Sequence, residues 1–408
     1  MDARFDMLIA LDGHGLNGFE GFGGIARLRC DPDRDDYDVD VAFYDGVSGG
    51  HATQINPSGT VGFLGNLSQM LLFYDPSTLK EIARVSTLRW AVPDVSYSSQ
   101  THVVWLDDRR FVTVLGADLY RFDLDDLDHP ERLGPHGVTL PHAMKRSPSG
   151  RYLFYGAMDH DDHGYAHQVG IFDLEAGEAR VVKLPATAWH LGVHPTKDVF
   201  YAPTQQCAPQ GGAFAEYTIA YAKNYLFEID GERAEVTRHL AIPKDMPGAL
   251  TSDVVVTEDA VLYNCCASGV IARVWLEDFS HVSYVDERPG TLQTLRHARA
   301  AWGNVLEAFS RVNVLAEGHT FLKTLRMTRA SALDGSYGLQ LSPCGRFLLS
   351  AHRGLNEVIV YDYPALTEVR RVKFPAIRKF FPHLGPLDDT RLGFHHSALR
   401  VMPSSSGQ

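Results

Sequence analysis

Three stretches of this chain repeat one pattern, and the repeat limits the fold more than any other feature. They are His51-Ala-Thr-Gln-Ile-Asn-Pro57-Ser-Gly59, His142-Ala-Met-Lys-Arg-Ser-Pro148-Ser-Gly150 and Tyr337-Gly-Leu-Gln-Leu-Ser-Pro343-Cys-Gly345. Each reads as a short strand, a tight Pro-x-Gly turn and an apolar strand: Val61–Leu64, Tyr152–Tyr155 and Phe347–Leu349. Proline presets one turn dihedral and glycine tolerates a positive one, so the motif suits an antiparallel hairpin. A second hairpin follows each first one. Leu72–Leu79 leads into Glu81–Val85, Ile171–Gly177 into Ala179–Leu184, and Val360–Leu366 into Glu368–Phe374. Four strands per unit, an inner pair and then an outer pair, make the blade of a β-propeller.

Weaker copies complete the count. One starts at His102 before the turn Asp107–Arg110, others at His190 before Pro195–Asp198 and at Ser252 before Thr257–Asp259. The last starts at His383, before Leu387–Thr390, and leaves room for only two strands. The missing outer hairpin is expected from the N-terminal strands within residues 25–44, Ile25–Cys30 and Tyr37–Tyr44. The fold expected is therefore all-β, one seven-bladed propeller over residues 1–408 whose N- and C-terminal strands close the ring. Blade starts fall at 51, 102, 142, 190, 252, 337 and 383. Spacing is ~40–50 residues where nothing is inserted, as blade repeats require. Two insertions interrupt it, Gln205–Lys223 and Pro289–Gly335. In the second (289–335), Leu292, Leu295, Trp302, Val305, Leu306 and Phe309 recur at helical intervals, which predicts a helical cap insertion over one mouth.

The residues that open the seven inner strands read His51, His102, His142, His190, Ser252, Tyr337 and His383. Chance placement of the chain's 19 histidines would put fewer than one there. With the ring closed, the five histidines stand on consecutive blades around the central channel. Clustered imidazoles are costly to protonate together, and their ring nitrogens need partners. A transition metal meets both demands, because neutral imidazole is the commonest ligand for zinc, copper, iron and nickel. His51, His102, His142, His190 and His383 are thus the candidate metal ligands, three or four binding directly and the rest supporting them. A metal-free acid–base site and a water-filled channel are the alternatives. A donor set without carboxylates argues against calcium and magnesium. Ser252 and Tyr337, the non-histidine ring positions, are the candidate acid–base residues.

Other features carry less. Asp159–His167 holds His160, His163 and His167 on a loop over the same mouth, where a solvated face is the plain reading. Gly13-His14-Gly15 and His395-His396 are weak candidates near the termini. Gly18–Gly24 is glycine-rich but lacks the strand–helix setting of a phosphate loop. No nucleophile elbow or zinc-spaced cysteine pair occurs. Thirty-eight basic against 50 acidic residues give a net charge of −12, which argues against a nucleic acid or an anionic membrane as main partner. No apolar run is long enough for a membrane span, and Met1–Asp12 does not read as a secretory signal. Five cysteines form no disulfide framework, so a cytoplasmic location is expected. A small-molecule substrate is expected, and oligomeric state is left open.

The plan resembles that of carotenoid cleavage oxygenases, seven-bladed propellers with an axial Fe(II) held by four inner-strand histidines beneath a helical cap. His102-Val-Val-Trp-Leu-Asp-Asp and His383-Leu-Gly are similar to two of that family's histidine-centred strand starts. The likeness lies in the repeat plan, and five ring histidines is one more than that family needs. It also resembles seven-bladed oligosaccharide lyases, which pair a histidine-rich metal site with a base that removes a proton α to a carboxylate. The resemblance implies a non-haem Fe(II) oxygenase acting on an apolar or aromatic small molecule. The second expectation is a lyase or isomerase using Mn or Zn, with Tyr337 or a ring histidine moving the proton. The third is a propeller scaffold that binds a peptide or protein without catalysis.

Overall fold

The computed structural model describes residues 4–13, 22–90, 101–158, 167–204, 224–243, 246, 251–290, 292, 335–384 and 391–402. These residues form seven four-stranded antiparallel sheets, and the protein is a seven-bladed β-propeller. Six blades run from the inner strand outward in chain order. Blade 1 runs from Ala52–Ile55 to Glu81–Ser86, and blade 3 from Pro141–Arg146 to Glu178–Lys183. Blade 4 runs from Gly192–Val193 to Glu235–Ile242, blade 5 from Thr251–Val256 to Ser283–Asp286, and blade 6 from Ser336–Leu341 to Thr367–Lys373. Blade 2 runs from Val103–Trp105 to Asp126–Pro135.

The three Pro-x-Gly turns fold as their residues dictate. Gly59, Gly150 and Gly345 take φ of 72°, 79° and 72°, and each donates its N–H three residues back, to Asn56, Ser147 and Ser342. Second strands are buried almost throughout, as in Tyr152–Ala157, while outer strands such as Glu178–Lys183 are largely exposed or half-buried. Apolar side chains from neighbouring blades fill each interface. Phe73 and Phe63 of blade 1 meet Trp105 and Phe111 of blade 2, and Phe154 of blade 3 stacks on Phe200 of blade 4 at 4.5 Å. Burying a large side chain of this kind contributes roughly 1.5–3 kcal/mol, which makes these wedges the main cohesion of the ring.

Closure differs from the sequence expectation. The innermost strand of blade 7 is Phe394–Val401, not one beginning at His383. It pairs with Phe5–Leu11, then Phe22–Asp31, then Asp36–Ser48, so the N-terminal region supplies three strands rather than two. Phe5–Leu11 is wholly buried and, Asp6 apart, apolar, a strand that belongs inside a sheet. Its two faces seal both flanks. Met7, Ile9 and Leu11 pack with Leu349 and Val358 of blade 6, while Leu8 and Ala10 pack with Leu64 and Leu72 of blade 1. Arg400 adds polar ties, to Asp6 at 2.9 Å and to the Gly59 carbonyl at 2.8 Å. The segment expected as a helical cap lies outside the described residues at 291 and 293–334, as do residues 205–223.

Candidate functional site

Two local devices bring the ring residues to the axis. The first is close approach between blades. A Cβ on Gly65 would stand 1.9 Å from the Thr101 carbonyl oxygen, and one on Gly156 would stand 2.0 Å from that of Trp189. Only glycine at those strand ends lets the chain before His102 and before His190 come so near. The second device is the β-bulge. Register slips between His142 and Lys145 in blade 3, between Thr251 and Val254 in blade 5, and between Ser336 and Gly338 in blade 6. An extra residue on one strand bends it and re-aims a side chain. Beside His142 the bend includes Ala143 at φ 50°, a left-handed conformation unusual for a residue with a Cβ.

One imidazole nitrogen from each of His51, His102, His142 and His396 lies within 4.8 Å of the other three. His190 joins this group, its Nε2 lying 3.1 Å from His142 Nε2, which is itself 3.3 Å from His51 Nε2. The sequence-predicted His51, His102, His142 and His190 therefore meet at the axis. His383 does not. It is exposed on a turn, its ring 6.2 Å from that of Phe22 and 6.1 Å from that of Phe381. The blade 7 position belongs to His395-His396, which the sequence reading ranked weak. Ser252 is buried, with Oγ 3.2 Å from His396 Nδ1. Tyr337 stands beside the cluster, its ring 5.0 Å from that of His395 and 5.0 Å from the Arg353 guanidinium. His167 is half-buried at a strand entrance, and His14, His160 and His163 lie outside the described residues.

Outer partners orient the rings. His190 Nδ1 lies 2.7 Å from the Thr251 carbonyl oxygen, which can only accept, so this nitrogen carries the proton and Nε2 presents its lone pair inward. His102 Nδ1 is 3.0 Å from Thr101 Oγ1. His396 Nδ1 is 2.7 Å from Asp253 Oδ1. Burial holds His51, His102, His142, His190 and His395 well below the ordinary histidine pKa, and neighbouring imidazoles lower them further. Burial alone would raise the Asp253 carboxyl, but His396 and backbone donors hold it below its usual value on balance. His396 Nε2 and His142 Nδ1 are buried and have no hydrogen-bond partner.

Imidazoles from four blades, with no carboxylate among them, suit a first-row transition metal. An orphaned lone pair at the centre is what such an ion would satisfy. His51, His102, His142 and His396 fit as direct ligands, with His190 adjoining.

No family model matches the chain, and no curated protein matches it. Among solved structures it is similar to a provisionally assigned 6-phosphogluconolactonase from Bacteroides fragilis. That match has 10% identity and a TM-score of 0.57 over 98% of each chain. It is also similar to the hydrazine synthase of Kuenenia stuttgartiensis, with 13% identity and a TM-score of 0.53, covering 85% of this chain and 90% of that one. At such identities the likeness is one of fold.

Proposed function

We propose that the protein is a metal-dependent enzyme whose ion lies on the propeller axis, bound by His51, His102, His142 and His396. The observation that carries this reading is the convergence of four imidazoles on one point, His396 among them with an orphaned Nε2. Protonating them together would be opposed by burial and by one another. The reading extends to a non-haem Fe(II) oxygenase acting on an apolar or aromatic small molecule. Four nitrogen ligands leave coordination positions open, and the ion would supply O2 activation there. This chain's residues bind and orient it, and the wedge of blades around the ring keeps bulk water from its flanks.

His395 favours a second reading. It is half-buried, unpartnered at Nδ1 and adjacent to both His51 (4.1 Å between rings) and Tyr337. A neutral imidazole beside a phenol can take and return a proton, which fits a Mn- or Zn-dependent lyase or isomerase. Metal analysis of untagged protein, with O2 uptake measured on the same sample, separates the two. Bound iron with O2 consumption is the expected result. Manganese or zinc without O2 uptake transfers the assignment to the lyase, and protein without any transition metal refutes both.

A further inference from the structure

Asp253 lies one residue beyond the ring position of blade 5, in a place where the repeat gives no reason for a carboxylate. Its two oxygens tie blade 5 to blades 6 and 7. Oδ1 stands 2.7 Å from His396 Nδ1 in blade 7. Oδ2 accepts from the Leu339 N–H of blade 6 at 3.0 Å, and from Ser397 of blade 7 through N–H at 3.2 Å and Oγ–H at 3.0 Å. An ionised carboxylate has only lone pairs to offer, so the contact with His396 requires the imidazole proton on Nδ1. The hydroxyl of Ser252, 3.2 Å from the same nitrogen, could donate and would demand the opposite tautomer. The shorter, charged contact decides the matter, because charge-assisted hydrogen bonds are roughly twice as strong as neutral ones.

We propose that Asp253 is the positioning residue of the axial site, fixing His396 as the Nδ1–H tautomer so that Nε2 offers a lone pair to the ion, while its second oxygen fastens the closing strand that carries His396. The inference rests on the metal-site reading and adds to it a residue that touches neither ion nor substrate. Orientation and closure are thereby coupled. The strand that completes the ring is held by the same side chain that makes its histidine a ligand. Outer carboxylates on ligating histidines fix tautomer and ring orientation and raise ligand basicity, and losing one typically costs 10–100-fold in metal affinity.

Two measurements test this. In metal-free wild-type protein labelled with 15N-histidine, at alkaline pH, His396 is expected as the Nδ1–H tautomer. An Nε2–H tautomer would overturn the proposal, and this readout requires no variant to fold. Asp253→Asn turns an N–H donor toward His396 Nδ1 and favours the non-ligating tautomer, so affinity for Co(II) in chelator competition should fall 10–100-fold. Equal Co(II) affinity in wild type and Asp253→Asn would overturn the role of Asp253 with the metal reading intact. A wild-type protein that takes up no Co(II) would refute the metal reading, and the His396 tautomer would still decide this one.

Discussion

Two buried polar clusters in this propeller are built on opposite terms. Between blades 5 and 6, Glu287 is wholly buried, yet both its oxygens are used. Ser336 Oγ donates to one at 2.6 Å, Tyr361 Oη donates to the other at 3.0 Å, and Ser350 donates to Ser336 in turn at 2.6 Å. Burial raises the Glu287 carboxyl above its usual value, and the hydroxyls only partly offset this. The axial cluster, by contrast, leaves His396 Nε2, His142 Nδ1 and His395 Nδ1 without a hydrogen-bond partner. A closed network of hydroxyls and carboxylate ties blades together and asks for nothing more. A converging set of lone pairs is costly unless something else arrives to use it, which separates a structural rivet from a site.

The largest effect should come from removing a central imidazole. His142→Ala is expected to weaken transition-metal binding by more than the ~100-fold expected for losing an outer-sphere partner, read by metal competition, with blade structure retained by circular dichroism. Undiminished affinity would remove His142 from the ligand set. Glu287→Leu should do the reverse. Leaving the Ser336 and Tyr361 hydroxyls without their acceptor should lower stability by about 3 kcal/mol, seen as a lower denaturant midpoint, with metal per folded protein unchanged.

Acid should act on the two clusters in opposite directions. His51, His102, His142, His190 and His395 have folded pKa values below the unfolded value near 6.5, so their stabilising share is complete above that value and is lost as pH falls through and below it. Each imidazole kept neutral contributes a slope of at most about 1.4 kcal/mol per pH unit. Glu287, with its raised folded pKa, contributes stability at low pH that is lost as pH rises through that value. Metal-free protein should therefore lose stability between pH 7 and 5, and His142→Ala should flatten that slope. A slope unchanged by the substitution would place the acid sensitivity elsewhere. The smallest effect belongs to His383→Ala, exposed on its turn. Stability should move by less than ~0.5 kcal/mol, and metal content should stay that of wild type.

Most of the ring was legible because its turns are chemically explicit. Pro57-Ser-Gly59 and its two counterparts fixed the register of three blades, and the weaker turns Asp107–Arg110 and Pro195–Asp198 extended it, which put His51, His102, His142 and His190 on neighbouring blades. Blade 7 was misread for a physical reason. Pro382-His383-Leu384 before Leu387–Thr390 imitates a strand and turn, whereas the true inner strand, Phe394–Val401, has no hairpin after it to announce itself. Its partner, Phe5–Leu11, arrives from the other end of the chain, within a stretch whose sequence was weighed only as a secretory signal. Two adjacent histidines in an apolar stretch, His395-His396, were the available signal. The bulges at His142, Thr251 and Ser336 leave no mark in composition, and Asp253 acquires meaning only once blades 5, 6 and 7 stand side by side.

The closing strand also sets an order of events in time. His51, His102 and His142 leave the ribosome early and close together, but His396 follows only after blades 4, 5 and 6 have been made. A domain folds as a unit, and this ring pairs Phe5–Leu11 with Phe394–Val401, so the blades that carry the first three imidazoles cannot be enclosed until the last strand has been made. The four-imidazole cluster is complete only once the ring closes, so on the metal reading proposed above loading would follow translation.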